Sequence, residues 1–225
     1  MTYILHIGNK RYSSWSLRGW LLLEAFDIPF EERLTPMFTD AFTALKKDIA
    51  PGRQVPTLEW IDDKGTRRIV WESLAIAEFL AERHPEAGLW PQDPVARLWA
   101  RSLATDMHCN FGALRSAQPM VIGADYAGRG RGEAVQADID RLVDLWARCR
   151  ADVGAEGPYL FGAKFTATDA FFAPVAFRFE TYGVDLPGVA AAYAAALREH
   201  PACLKWRADA DAEPWLEPRY FMTKP

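Results

Sequence analysis

Gln54-Val55-Pro56-Thr57-Leu58, followed after a short interval by Trp71-Glu72-Ser73-Leu74-Ala75-Ile76-Ala77-Glu78-Phe79-Leu80, is the stretch from which the fold can be read. It predicts a strand opened by Val55-Pro56, a hairpin, and a helix starting at Ser73, a residue type well suited to an N-cap. Proline has no N–H to give to a ladder, so Pro56 opens its strand or sits at an edge. Val55 then keeps a free backbone edge. An extended ligand could pair with that edge while its carboxylate meets the free N–H groups and positive dipole end of the helix at Ser73. One small peptide acid could use both.

At these residues the chain resembles the glutathione S-transferase superfamily: Val55-Pro56-Thr57-Leu58 and Glu72-Ser73-Leu74-Ala75-Ile76 stand in the family's order and at its usual interval. Either motif alone carries little information; the ordered pair carries much more. The resemblance implies a cis bond before Pro56. It also implies backbone pairing of Val55 with the cysteinyl unit of glutathione, and an acid-serine pair, Glu72 and Ser73, on the γ-glutamyl end.

The whole chain is compatible with this. Its 225 residues suffice for one large domain or two modest ones with a real core. Half the residues are hydrophobic, a quarter are charged, and the net charge is −4, a balance that argues against a nucleic-acid partner. The three cysteines, Cys109, Cys149 and Cys203, have no metal-like or redox-like neighbours and suit free thiols in a reducing compartment. No apolar run is long enough for a membrane span, and no basic region followed by an apolar run opens the chain. A cytoplasmic location without a membrane partner is expected.

Along the chain, Tyr3 to Ile7 alternates and is rich in strand formers, and Trp15 to Phe26 reads as a helix stopped before Pro29. Phe30 to Leu34 reads as a short strand and Thr39 to Lys47 as a second helix. With the central stretch, the order is strand, helix, strand, helix, strand, strand, helix, a thioredoxin-like arrangement. His84-Pro85-Glu86-Ala87-Gly88 and Pro91-Gln92-Asp93-Pro94 are dense in breakers. The expected division is therefore a thioredoxin-like glutathione-binding domain over 1–84, a linker over 85–94, and an all-helical domain over 95–225. In that helical half Val135, Ile139, Leu142 and Trp146 share one helix face. Gly123 to Gly132 reads as a flexible surface loop. Thr166-Ala167-Thr168-Asp169 fits a capping box ahead of Ala170-Phe171-Phe172, again as in the superfamily, where its role is structural.

Glutathione chemistry needs a thiolate, and a thiol with a pKa of about 8.5 is only slightly ionised at neutral pH. Donors at a helix N-terminus can shift that balance. Ser13-Ser14-Trp15-Ser16-Leu17-Arg18 lies between the first strand and first helix and resembles the Ser-Ser-Cys-Ser-Trp-Arg motif of the zeta class, the maleylacetoacetate isomerases. Trp15 takes the place of their cysteine and falls among the glutathione contacts. The alignment puts Ser13 at the catalytic serine, five residues before Arg18; other serine-type classes place theirs four before, which selects Ser14. Both are candidates for the thiolate donor. A tyrosine mechanism through Tyr12 or Tyr3 ranks well below them.

Gln54 corresponds to the residue that meets the glycyl end in the zeta class, while Glu72 replaces its glutamine and would offer the γ-glutamyl amine a charge. Arg18 is expected at the domain interface. His108 reads as an ordinary surface or packing residue, and the nine tryptophans read as core. The resemblance further implies a homodimer, in which Asp106, thirty-three residues after Ser73, would reach across to the γ-glutamyl amine. The expected function is that of a glutathione transferase, with glutathione as co-substrate, acting on a small hydrophobic electrophile in detoxification. A glutathione-dependent isomerase of the maleylacetoacetate type and a non-catalytic interaction module on the same fold are the alternatives.

Overall fold

A computed structural model describes residues 2–153 and 156–222. Its first part runs β1 (Thr2–Ile7), α1 (Ser14–Glu24), β2 (Glu31–Leu34), α2 (Asp40–Asp48), β3 (Thr57–Ile61), β4 (Arg67–Trp71) and α3 (Ser73–Arg83). The sheet order is β2-β1-β3-β4, with β1 parallel to β2 and antiparallel to β3, which pairs antiparallel with β4. The β1–β2 pair is parallel because α1 carries the chain back across the sheet, as a parallel connection requires. Leu5 and Ile7 of β1, Leu58 of β3, and Leu17, Leu21 and Leu22 of α1 close this core.

After a 3₁₀ turn at Pro85–Ala87 the chain becomes helical: α4 (Pro94–Cys109), α5 (Gly112–Ala117), α6 (Glu133–Val153), α7 (Ala167–Thr181), α8 (Gly188–Glu199) and α9 (Pro201–Ala212). α7 is the axle of this half. Fourteen of its residues are buried, and it packs against α1, α4 and α8. The capping box starts it: the Asp169 carboxylate accepts from the Thr166 N–H and hydroxyl, each at 2.7 Å, and from the Tyr193 hydroxyl at 2.7 Å. Burial pushes the Asp169 carboxyl up to about 6, against the pull of these donors. Val135, Ile139, Leu142 and Trp146 share the buried face of α6, and Trp146 meets Phe172 and Tyr193 edge-on.

Two local expectations are corrected. Glu72, not Ser73, occupies the N-cap of α3, with a left-handed φ of 68°; Ser73 is the first helical residue and caps nothing. The segment 123–132 is tied down rather than flexible, because backbone bonds join Tyr126 to Thr181 and Gly128 to Tyr182. Gly130 belongs to this packing. At a φ of 58° a Cβ there would lie 2.4 Å from the Ala117 carbonyl oxygen.

Candidate active site

The turn from β1 to α1 is held from both sides. Within it, the Asn9 carbonyl accepts from the Ser13 N–H at 2.8 Å, and the Gly8 N–H donates to the Ser16 hydroxyl at 3.0 Å. From the helical half, the Glu213 carboxylate accepts from the Lys10 and Arg11 N–H groups, and the Trp206 indole donates to the Lys10 carbonyl. A loop fixed this way presents its side chains without much reorganisation.

Ser13 is the N-cap of α1. Its hydroxyl accepts from the Ser16 N–H at 3.2 Å and donates to the Ser16 hydroxyl at 2.7 Å, so its proton is already engaged. Ser14 stands differently. Its hydroxyl oxygen accepts from Arg178 Nη2 at 3.1 Å, which leaves its own proton to donate elsewhere. The Trp15 N–H, in the first turn of α1, makes no hydrogen bond among the described residues.

Trp15 stands between two cavities. The smaller, about 330 Å³, is lined by Trp15, Gln54, Val55, Pro56, Glu72, Ser73 and His108. The Val55-Pro56 bond is cis, as expected, and the Val55 backbone makes no hydrogen bond among the described residues. Ser73 is 1% exposed, and its hydroxyl is buried with no partner among the described residues. A buried orphan donor beside a cavity at a helix N-terminus suits an incoming carboxylate. The left-handed backbone at Glu72, a strain of roughly 1–3 kcal/mol for such a residue, accompanies a carboxylate placed at this cavity. That carboxylate accepts from Gln54 Nε2 and faces His108 Nε2 at 3.5 Å. The His108 ring meets Trp15 at 5.1 Å, and burial, with Arg18 and Arg115 nearby, lowers its pKa against the opposing effect of Glu72.

The larger cavity, about 510 Å³, is lined by Tyr12, Ser13, Ser14 and Trp15 on one side and by Cys109, Asn110, Arg115, Ser116 and Arg178 on the other. Met37, Pro119, Met120 and Tyr220 add apolar surface to the lining. Tyr12 and Tyr220 stack with ring centroids 4.8 Å apart, and the Tyr12 hydroxyl accepts from the Glu217 N–H. The Tyr3 hydroxyl lies at His84, 3.0 Å away. Neither tyrosine hydroxyl is placed as the serines are.

Of the residues expected from sequence, Ser13, Ser14 and Trp15 converge on the larger cavity, and Trp15, Gln54, Val55, Glu72 and Ser73 on the smaller. Asp106 lines neither; its carboxylate bonds Arg141 and Asn110, each at 2.6 Å. Arg18 bridges α1 to the Phe171 carbonyl of α7, as an interface residue should. His108, set aside as ordinary, lies within the smaller cavity. Arg115 and Arg178 were missed altogether. A signal existed for Arg178, a lone cation inside the apolar run Ala170 to Phe179.

Residues 12–83 match the glutathione S-transferase N-terminal domain, and residues 120–209 match the glutathione S-transferase C-terminal domain. The chain belongs to the glutathione S-transferase family. Among its relatives, the probable maleylacetoacetate isomerase of Caenorhabditis elegans is 27% identical over 184 residues, 81% of each protein. The maleylacetoacetate isomerase of Rhizobium meliloti (strain 1021) is 32% identical over 126 residues, 51% of this chain and 55% of that protein. The crystal structure of maleylacetoacetate isomerase from Anaeromyxobacter dehalogenans 2CP-1, with bound GSH in its active site, superposes with a TM-score of 0.65. It is 26% identical and covers 95% of this chain and 97% of that one. This transferase fold thus has its thioredoxin-like and helical parts in the family order, and no described helix is long and apolar enough to cross a membrane.

Proposed function

We propose that this glutathione S-transferase activates the glutathione thiol through Ser14. The observation carrying the assignment is the Arg178–Ser14 bond: a cationic donor on the hydroxyl oxygen polarises it and frees its proton for a thiolate. The unbonded Trp15 N–H and the dipole end of α1 add to the same field. Glutathione lies along the smaller cavity, its cysteinyl backbone on Val55 and its γ-glutamyl carboxylate on the Ser73 hydroxyl and the first turn of α3. Glu72 takes the γ-glutamyl amine and Gln54 the glycyl end. The thiolate then reaches past Trp15 into the larger cavity. There it attacks the electrophilic carbon: as the carbon–sulfur bond forms, either a leaving group departs with its bonding pair or a conjugated π bond opens and the far carbon takes a proton from water.

Calorimetric titration with glutathione tests this reading. Binding in the micromolar to millimolar range is expected, weakened by Ser73→Ala; no heat of binding at millimolar glutathione would remove it. The homodimer belongs to the same proposal. Val95 and Leu98 on α4 are exposed apolar residues suited to a partner surface, and a monomer by sedimentation at micromolar concentration would remove that part and any role of Asp106 across the interface.

A further inference from the structure

Lys10 and Arg11, just ahead of the two serines, are fastened mainly to the far end of the chain. The Lys10 ammonium lies between the Trp20 and Trp206 rings, 5.1 and 5.2 Å from their centroids, and meets Asp209 at 2.6 Å and Glu32 at 2.8 Å. Its backbone is held as well: the N–H donates to Glu213 Oε1 at 2.5 Å, and the carbonyl accepts from the Trp206 indole at 2.9 Å. Arg11 gives its N–H to Glu213 Oε2 and its guanidinium to the Ile122 and Asp211 carbonyls. Of these polar partners only Glu32, in β2, belongs to the thioredoxin-like half.

The acids in this joint are wrongly placed for α9 itself. Asp209 and Asp211 lie in its last turn and Glu213 is its C-cap, at the negative end of the helix dipole, and that turn holds no basic residue of its own. Carboxylates there destabilise a helix; cations help it. The Lys10-Arg11 pair and its two backbone N–H groups, docked at this end, supply what α9 lacks. Removing the ammonium would do more than loosen the contact. Two carboxylates held within 2.8 Å of one nitrogen would be left facing each other without the cation between them.

A short path leads from the joint to the chemistry. The Ser13 N–H donates to the Asn9 carbonyl and the Ser14 N–H to the Tyr12 carbonyl, so the backbone of residues 9–12 carries both serines. Arg178, the partner of the Ser14 hydroxyl, is on α7 and also in the helical half, whereas Val55 and Ser73, the proposed anchors of glutathione, belong to the other half. A misplacement of about 1 Å between a reacting atom and its partner can cost about a hundredfold in rate. We propose that Lys10 and Glu213 are positioning residues for the thiolate donor: the end of α9 sets where Ser14 stands relative to the glutathione sulfur. This rests on the transferase reading above and adds to it two residues that line neither cavity.

The test follows thiolate absorbance of the enzyme–glutathione complex against pH, with calorimetry and a melting curve on the same preparations. Glu213→Gln separates position from field. It removes a negative charge, so a field effect alone would favour the thiolate and lower the pKa of the bound thiol. Lost positioning raises that pKa instead, by about half a unit to one unit, or about threefold to tenfold less thiolate at a given pH. Asp209→Asn should move it in the same direction. Lys10→Met should raise it by about one unit, and Lys10→Arg, which keeps a cation between the carboxylates, should restore part of the loss. Glutathione affinity measured where the bound thiol is protonated should stay within about threefold of wild type, since Val55 and Ser73 are untouched. A Glu213→Gln pKa that is unchanged or lower overturns the inference, whatever the melting temperature does, and so does an unmoved titration in folded Lys10→Met. If Lys10→Met does not fold, Glu213→Gln and Asp209→Asn carry the test. Wild type that binds no glutathione, or binds it without lowering its thiol pKa, defeats the transferase reading itself.

Discussion

Arg178 of α7 donates to the hydroxyl of Ser14, 164 residues earlier, at 3.1 Å, joining the helical half of the molecule to the first turn of α1. The contact separates two serines that are otherwise alike. Ser13 spends its hydroxyl on capping the helix, and Ser14 holds its proton available under a cationic neighbour.

Ser14→Ala should therefore raise the pKa of bound glutathione by about one to two units, the equivalent of a lost charge-assisted bond of roughly 1.5–3 kcal/mol. Ser13→Ala should instead cost about 1 kcal/mol of stability through the lost cap. Thiolate absorbance of the complex followed against pH, with a melting curve for each variant, reads both effects. A titration moved only by Ser13→Ala would restore the zeta-like alignment.

Gly19 lets α1 lie against the Val55-Pro56 turn. A Cβ at Gly19 would stand 2.6 Å from Pro56 Cβ and 2.7 Å from Cγ, both inside contact distance. Gly19→Ala is expected to destabilise the fold by about 1–3 kcal/mol and to weaken glutathione binding by displacing the Val55 backbone. Denaturant titration and calorimetry check the two effects, and unchanged affinity in a folded variant would detach Pro56 placement from ligand binding.

Glu59 in the centre of the sheet accepts from Arg67 and from His6, the latter at 2.6 Å, and these partners hold its carboxyl down at about 2. A depressed carboxyl pKa contributes stability above its ordinary value of 4.5, and that contribution disappears as the pH falls from 4.5 towards 2. Glu59→Gln should flatten the acid side of the stability curve by about 2 kcal/mol. Urea midpoints between pH 5 and roughly pH 2.5 measure it.

Asp169 has the opposite sign. Its carboxyl is raised from 3.8 to about 6, so the folded state binds the proton more tightly than the unfolded chain. Its contribution is full below 3.8 and is lost as the pH rises to about 6. Asp169→Asn should abolish that decline while lowering stability by about 1–3 kcal/mol at low pH through the weakened capping box. A slope between pH 4 and roughly 6 that survives the substitution would assign it to another group.

What the sequence determined by itself was local or nearly so. The Val55-Pro56 and Glu72-Ser73 motifs, the strand and helix order, and the Thr166–Asp169 capping box are set by short-range backbone geometry and by spacing along the chain. The N-cap of α3 was misread because Glu72 takes it in a left-handed conformation, which residue type alone does not announce. Tertiary structure decided the division between Ser13 and Ser14, the place of His108, and the meeting of Lys10 with Asp209. Each depends on α1, α4, α7 and α9 being packed together. Charges far apart in sequence interact strongly only when folding brings them within a few ångströms and removes the water between them.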